Sequence, residues 1–230
     1  MQKSKEDFLE GQIVLIDKPL KWTSFQAVNA LKWAIRKKFD LKKIKIGHAG
    51  TLDPLATGLL IICTGKFTKK IPQLQGQIKE YTGTMHLGAT TPSYDLETKV
   101  NHTFPITHIT EARLQKTTAQ FLGEIEQEPP VFSALKKDGK RLYEFAREGK
   151  QVDIKPRKVK IFEFEITNIR LPKVDFKVVC SKGTYIRSLA HDYGKALDSG
   201  AYLSDLRRTK IGDFNVNNAI SPTGFKERMR

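Results

Sequence analysis

At 230 residues the chain is long enough to bury a substantial core, in one large domain or two small ones. Its 40 lysines and arginines outnumber 25 acidic residues, and the formal net charge of +15 favours a polyanionic partner, most commonly nucleic acid. The first eleven residues lack the apolar centre of a signal peptide and no apolar run is long enough to span a bilayer, so neither secretion nor membrane insertion is predicted.

The basic residues are clustered, which favours a binding surface for a polyanion over an evenly charged soluble surface. Some lysine-rich stretches are nevertheless expected to be ordinary solvated faces. The clusters are Arg36–Lys38 with Lys42, Lys43 and Lys45, then residues 136–141, 155–160 and 207–210.

The first third of the chain predicts a strand, a helix, a second strand and a short helix. Residues 12–16 form the first strand candidate. Thr23, with Gln26 three residues later, predicts a capping box for a helix over Ser24–Lys38. The apolar face of this helix is predicted to hold Phe25, Val28, Leu31 and Ile35. Residues 59–63 predict a buried strand, and Phe67, Ile71 and Leu74 suggest a short helix that Pro72 interrupts.

The remaining elements follow from the same patterns. Residues 81–87 alternate apolar and polar, which is typical of a half-buried strand. Residues 159–169 and 174–180 are predicted to pair as strands around Leu171–Pro172. The predicted helices carry Leu114, Thr118 and Phe121, closed by Gly123; Leu142, Phe145 and Ala146, closed by Gly149; and Ile186, Leu189, Ala190, Tyr193 and Leu197, capped by Thr184.

Strands and helices are mixed without regular βαβ alternation, so the sequence predicts an α+β fold with a largely antiparallel sheet and flanking helices. Cys63 and Cys180 lie in apolar, strand-like runs and are predicted to be buried reduced thiols, which fits a reducing cytosol. The histidines show no metal-ligand spacing, so no metal site is predicted.

The stretch GHAGTLDPLATGLL at residues 47–60 holds a single carboxylate, Asp53, among glycines and a proline. Glycines let a backbone approach a ligand closely, and Pro54 disfavours the α conformation at Asp53. An acid on a rigid turn beside a sheet is well placed for chemistry. The alternative is that Asp53 caps a short helix with Pro54 at its first position. The two interpretations are compatible, since a helix N-terminus also keeps a carboxylate ionised.

This stretch resembles the catalytic signature of the TruB-type tRNA pseudouridine synthases. IDKPLKWTS at residues 16–24 resembles the opening motif of that family, with Lys21 where a glycine is usual and with Lys18–Pro19 interpreted as structural. KEYTGTMHLG, PPVFSALKKDGKRLYEFAREG and GTYIRSLAHDYG match later motifs in order, so the resemblance runs from about residue 11 to residue 211.

The resemblance implies a pseudouridine-synthase fold with a central RNA-binding cleft, preceded by an N-terminal extension over residues 1–10. The catalytic domain would be residues 11–230, which leaves no room for a separate C-terminal RNA-binding domain. The implied activity is isomerisation of uridine 55 in the T-arm of tRNA to pseudouridine, without cofactor or metal. We further expect a cytoplasmic monomer that needs no guide RNA.

The resemblance also assigns the catalytic residues. Asp53 would be the catalytic carboxylate, acting as nucleophile or as stabiliser of a ribose cation. Arg187 would pair with Asp53 and keep it ionised, with Asp95 as a second acid near that arginine. Judged on residue type alone, Arg187 could instead be an exposed arginine and Asp95 a loop residue that starts a turn.

Four further residues would contact the flipped nucleotide. Tyr81, which the resemblance also places among the catalytic residues, would stack on the extruded uracil. Tyr185 and Leu206 would line the base pocket, and His48 would fill the space that flipped nucleotides leave. Each has a structural alternative: the first three could be core residues, and a lone histidine is more often a hydrogen-bonded structural residue. The alternative function is a non-catalytic tRNA-binding or tRNA-folding chaperone module.

Overall fold

A computed structural model of the protein describes residues 3–133, 135–137, 139–148 and 154–229. The chain divides into two compact units, Met1–Tyr81 with Leu206–Arg230, and Thr82–Asp205. The α-helices are α1 (Lys5–Glu10), α2 (Ser24–Lys38), α3 (Ile71–Gly76), α4 (Glu111–Ala119), α5 (Leu142–Arg147), α6 (Ile186–Ala196) and α7 (Pro222–Arg228), with 3-10 helices at Gly65–Lys70 and Val216–Asn218. The strands are β1 (Ile13–Lys18), β2 (Ile46–His48), β3 (Ala56–Thr64), β4 (Lys79–Leu87), β5 (Ala89–Thr90), β6 (His102–Thr103), β7 (Gly123–Gln127), β8 (Lys136–Lys137), β9 (Lys140–Arg141), β10 (Arg157–Arg170), β11 (Lys173–Cys180), β12 (Ala201–Ile211) and β13 (Phe214–Asn215).

In the first unit, β3 is the central strand and is buried along almost its whole length. It pairs antiparallel with β1, from Ile13 opposite Cys63 to Lys18 opposite Gly58, and antiparallel with β2. Its first residues pair parallel with the second half of β12, Leu206 lying opposite Ala56. β3 has a paired strand on each side and is covered by side chains of the core. The turn that precedes β3 is therefore attached to a rigid strand.

Helix α2 covers this sheet, and the capping box predicted at its start is confirmed. Thr23 is the N-cap, its hydroxyl accepts from the Gln26 amide, and the Gln26 side chain accepts from the Thr23 amide at 2.7 Å. The prediction that Phe25 belongs to the apolar face is wrong, since its side chain is 68 % exposed. The buried face consists of Ala27, Val28, Leu31, Ala34 and Ile35.

Helix α1 is part of the packing of the first unit. Helix α1 places Phe8 in the same core cluster as the buried face of α2 and Phe225 of α7. The rings of Phe8 and Phe39 lie 5.9 Å apart between centroids, and those of Phe8 and Phe225 lie 6.4 Å apart. The predicted boundary at residue 10, and the catalytic domain over 11–230, stay predictions.

In the second unit the strand order is β4–β11–β10–β7, and β10 pairs antiparallel with both β11 and β7. This confirms the predicted strand pair around Leu171–Pro172. Helix α6 packs Tyr193 against Phe121 and Phe164, and the Tyr193 hydroxyl donates to the Leu114 carbonyl at 2.8 Å. Taken unit by unit, the elements confirm the predicted mixed α+β class with a mostly antiparallel sheet. Both cysteines are buried, as predicted, and neither forms a disulfide within the described residues.

Several predicted element ends are wrong. The helix at 111–119 ends at Ala119, and Gly123 instead begins β7 with φ of +86°. The N-cap of α6 is Tyr185, while the Thr184 hydroxyl donates to the Ser181 carbonyl at 3.0 Å. Pro72 lies in the first turn of α3 and does not interrupt it, because the first amides of a helix need no partner within the helix. The predicted stop of α5 at Gly149 falls outside the described residues.

Lys21 adopts the left-handed conformation that glycine favours, with φ of +65°. A side chain in this conformation costs the folded state about 1–2 kcal/mol. Glycine removes that cost, but its larger backbone entropy in the unfolded chain cancels roughly half of the gain. We therefore expect Lys21→Gly to raise the free energy of unfolding by about 0.5–1 kcal/mol and Tm by about 1–3 °C, measured by urea and thermal unfolding. The amide that donates to the Pro54 carbonyl is retained in the variant.

Lys42→Gly is the matched control for Lys21→Gly. Lys42 is an exposed loop residue with an ordinary negative φ, so glycine there adds only entropy to the unfolded chain and is expected to lower Tm. An equal loss of stability in both variants would show that the backbone at Lys21 carries no strain.

Candidate active site

Asp53 lies in a turn that leads directly into β3. Its side chain is partly exposed, and its carbonyl accepts from the Ala56 amide at 3.1 Å. No helix follows, because β3 begins at Ala56. The interpretation of Asp53 as a helix cap is therefore wrong, while a carboxylate on a tight turn at the start of a buried strand is confirmed.

The loop is fixed to its surroundings on both sides of Asp53. The Leu52 amide donates to the Ser24 hydroxyl at 2.8 Å, and this hydroxyl donates to the Leu52 carbonyl at 3.0 Å. On the other side the Pro54 carbonyl accepts from the Lys21 amide at 2.8 Å. Since Ser24 is the first residue of α2, the residue before Asp53 is anchored to the N-terminus of that helix.

Among the described residues, Arg208 has the largest fully buried side chain, and it contacts the same loop. Its Nε donates to the Leu59 carbonyl at 2.8 Å, and its terminal nitrogens donate to the carbonyls of Gly50 at 3.1 Å and Thr51 at 3.4 Å. The backbones approach closely here: a Cβ added at Gly58 would lie 2.3 Å from the Arg208 carbonyl oxygen. One guanidinium thus ties the start of the Asp53 loop to β3.

The sequence prediction placed Arg208 in a basic cluster that would face a polyanion, and for this residue it is wrong. Arg208 is 1 % exposed, and the other side chains of the cluster are also engaged. Both terminal nitrogens of Arg207 donate to Asp17, at 3.0 and 2.7 Å, and Lys210 pairs with Glu80 at 3.1 Å. The alternation of side chains along β12 could have predicted that Arg208 is buried, since residue 208 lies on the same face of the strand as the apolar Leu206.

Lys18 is a second buried cation in this region. Its Nζ donates to the carbonyls of Trp22 at 2.6 Å and Pro19 at 3.1 Å, so it braces the turn before α2, in agreement with a structural role. Burial lowers the pKa of Lys18 to about 8, Asp53 opposes this change, and Arg208 adds to it. At neutral pH Lys18 is therefore mostly charged, and its field acts on Asp53; the sequence analysis did not identify this partner.

His48, Tyr81 and Leu206 also belong to the first unit. His48 lies in β2, and burial, followed by the charge of Arg208, lowers its pKa, so its imidazole is neutral at pH 7. Tyr81 and Leu206 are both 9 % exposed. The burial of Tyr81 and Leu206 agrees with the alternative that they are core residues. The contacts of all three residues with a nucleotide stay predictions.

In the second unit Arg187 is 4 % exposed, so its interpretation as an exposed arginine is wrong. One terminal nitrogen donates to the Ser93 carbonyl at 3.2 Å, and Nε lies 3.7 Å from Oδ2 of Asp95. Asp95 also accepts from the Glu97 amide through Oδ1 at 2.9 Å, so it both starts a turn and faces the arginine. Asp53 belongs to the first unit, and its predicted pairing with Arg187 stays a prediction.

Tyr185 is the N-cap of α6 and is held by two elements of the second unit. The Gln127 side chain accepts from the Tyr185 amide at 2.7 Å and donates to its carbonyl at 3.0 Å. The guanidinium carbon of Arg157 lies 4.4 Å from the centroid of the Tyr185 ring. This cation–π contact, which the sequence analysis did not predict, fixes a half-buried aromatic ring beside a positive charge.

In residues 3–133, 135–137, 139–148 and 154–229, no three His, Cys, Asp or Glu side chains form a group that could hold a metal ion. Within the same ranges, no helix combines the length and apolar character that crossing a membrane requires.

Comparison with known proteins finds a consistent set of relatives. Residues 36–186 match the model of the "TruB family pseudouridylate synthase (N terminal domain)". The chain is 67 % identical over 226 residues to the tRNA pseudouridine synthase B of Flavobacterium johnsoniae, covering 98 % of this chain and 99 % of that protein. It is 52 % identical over 221 residues to the enzyme of the same name from Phocaeicola vulgatus, covering 96 % and 94 %.

Solved structures give the same fold. A chain in the crystal structure of a Cbf5-Nop10-Gar1 complex matches with a TM-score of 0.69 and 31 % identity, covering 95 % of this chain and 54 % of that one. A chain in the structure of an H/ACA RNP bound to a substrate RNA containing 2'-deoxyuridine matches with a TM-score of 0.63 and 30 % identity, covering 90 % and 49 %. The chain therefore spans about half the length of these solved relatives.

Proposed function

Because the chain belongs to the TruB family of pseudouridylate synthases, we propose that it isomerises uridine 55 in the T-arm of tRNA to pseudouridine. The observation that carries this proposal is the likeness, over nearly the whole length of both chains, to relatives named tRNA pseudouridine synthase B. The net charge of +15 supports an RNA substrate, since phosphate contacts dominate the affinity of proteins for nucleic acids.

The reaction moves one bond and changes no oxidation state. The N1–C1′ bond of uridine breaks, the uracil turns, and a C5–C1′ bond forms, while C5 loses a proton and N1 gains one. Glycoside hydrolysis uses two carboxylates, one of which protonates the leaving group. Here the uracil stays bound and water must be kept out, so one carboxylate suffices.

Asp53 is the proposed carboxylate, acting either as nucleophile or as stabiliser of the ribose cation. Its loop is anchored at Leu52 and Pro54, so the carboxylate is held in place before substrate arrives. A group fixed in position loses little entropy on reaching the transition state. Lys18, which is mostly charged at neutral pH, places positive charge near Asp53.

The second unit supplies three of the other proposed site residues. Arg187 with Asp95 forms a buried charge pair, and Tyr185 presents an aromatic ring suited to contact a flipped base. Tyr81, Leu206 and His48 complete the set. We propose that the enzyme acts as a cytoplasmic monomer without a guide RNA. The two buried cysteines, which form no disulfide among the described residues, support a reducing compartment.

Asp53→Asn is expected to lower the rate of isomerisation at least about 1,000-fold, because the amide neither attacks C1′ nor stabilises a cation. RNA affinity is expected to stay within about tenfold, since the amide is nearly isosteric and the anchors of the loop are backbone groups. The measurements are pseudouridine formation in a T-arm hairpin by the purified protein, and filter binding of the same RNA.

Asp213→Asn is the matched control, since Asp213 is an exposed turn residue of the same unit. It is expected to react at the wild-type rate. Near wild-type turnover by Asp53→Asn would remove Asp53 from its role. A wild-type protein that binds the RNA but forms no pseudouridine would favour the non-catalytic tRNA-binding or tRNA-folding module.

We expect a T-arm hairpin alone to be a substrate, with an affinity that falls steeply as salt rises. Each phosphate contact displaces counterions, and log affinity falls by about 0.7–0.9 per contact for each unit of log salt concentration. Filter binding between 50 and about 300 mM salt measures this slope. An affinity that does not respond to salt, or activity that requires an added guide RNA, would contradict the proposal.

A further inference from the structure

A groove of about 550 Å³ lies on the first unit, where α7 packs beside the second half of α2. The residues that line it are Trp33, Ala34, Lys37, Lys38, Lys226 and Met229. Its base is apolar, because Ala34 is buried and Met229 packs against the core cluster beneath. None of the site residues above belongs to this groove, which we call the α2–α7 groove.

The α2–α7 groove is positively charged. Among the described residues that line it, three are lysines and none is acidic. Arg36 precedes Lys37 and Lys38 at the end of α2, and all three side chains are exposed. The groove therefore suits an anion, and a polyanion in particular.

The groove also presents an aromatic ring to solvent. Trp33 is 57 % exposed and lines the groove together with the three lysines. The ammonium of Lys37 lies 4.9 Å from the centroid of the Trp33 ring. An exposed ring among cations combines stacking with phosphate contact, which is how proteins bind unpaired nucleotides. An acidic peptide would satisfy the lysines but would make less use of the ring.

Helix α2 connects the groove to the Asp53 loop within the same unit. Its first residue, Ser24, bonds to Leu52 beside Asp53. Trp33 and Lys37 follow nine and thirteen residues later, which at the α-helical rise places them about 14 and 20 Å along the helix. One RNA molecule can span that distance with its target uridine at Asp53.

We propose that the α2–α7 groove is a second RNA-binding surface, which contacts the sugar-phosphate backbone of the tRNA at a distance from the target uridine and stacks Trp33 on an unpaired base. Lys37 and Lys226 bind phosphates from the two sides of the groove. This inference rests on the proposed tRNA substrate, and it adds a contact outside the reaction site.

The test compares two double variants with the same change in net charge. Lys37→Glu/Lys226→Glu reverses the groove, and Lys5→Glu/Lys32→Glu reverses two lysines of α1 and α2 that do not line it. For full-length tRNA we expect the groove variant to raise KM at least about tenfold, to leave kcat within about twofold, and to reduce the salt slope by about one for each lost phosphate contact. The control variant is expected to change KM less than about threefold with the wild-type slope.

Trp33→Ala is expected to weaken binding about tenfold with an unchanged salt slope, because stacking releases no counterions. Thermal unfolding checks that each variant is folded. If the charge reversal unfolds the protein, Lys37→Gln/Lys226→Gln is used, with the same loss of salt slope expected.

Equal effects of the two double variants on KM would overturn the inference. An unchanged KM for tRNA in the groove variant would also overturn it, and this is the result expected if an acidic protein occupies the groove. A wild-type protein that forms no pseudouridine would instead overturn the proposed function, and filter binding would still decide whether the groove binds RNA.

Discussion

The guanidinium of Arg208 donates hydrogen bonds to backbone carbonyls on both sides of Asp53, those of Gly50, Thr51 and Leu59. A buried cation is costly unless its donors are satisfied, so these carbonyls must stay turned toward it for the unit to be stable. The loop that carries Asp53 is thereby coupled to the stability of the sheet. Its conformation is part of the fold and does not wait for substrate.

The surrounding backbone is built to allow this arrangement. Gly50 and Gly58 both have φ of +102°, a conformation that strains any other residue. At Gly58 the absence of a side chain also lets β3 approach the backbone of Arg208. The glycines of the motif are therefore explained by the buried arginine on β12 as much as by room for a ligand.

Charge around Asp53 in the first unit is dominated by buried cations. Lys18 is held by two carbonyls and carries a pKa of about 8, with burial as the main cause. A carboxylate beside fixed cations needs little reorganisation during reaction. The second unit also contains a buried cation, Arg187, which lies beside the buried carboxylate of Asp95.

The sequence predicted those features that depend on neighbours along the chain. The capping box at Thr23, the buried strand after Asp53 and the alternation of β4 are local patterns, and the structure confirms them. Arg208 was missed because the run of basic residues was interpreted by charge alone, although strand alternation places residue 208 on the face of Leu206. Phe25 was placed on the wrong side of α2 because tertiary packing, which the helical period alone does not show, decides how far the buried face of a helix extends.

Amide hydrogen exchange in Arg208→Lys tests the central claim most directly. Lysine keeps the charge but cannot reach three carbonyls, so the account predicts at least about tenfold faster exchange at Leu52 and Ala56, with the β1–β3 ladder unchanged. Arg207→Lys, which alters the neighbouring pair with Asp17, is the control and should leave both regions at wild-type rates. Equal protection of Leu52 and Ala56 in Arg208→Lys and wild type would contradict the claim that Arg208 holds the Asp53 loop.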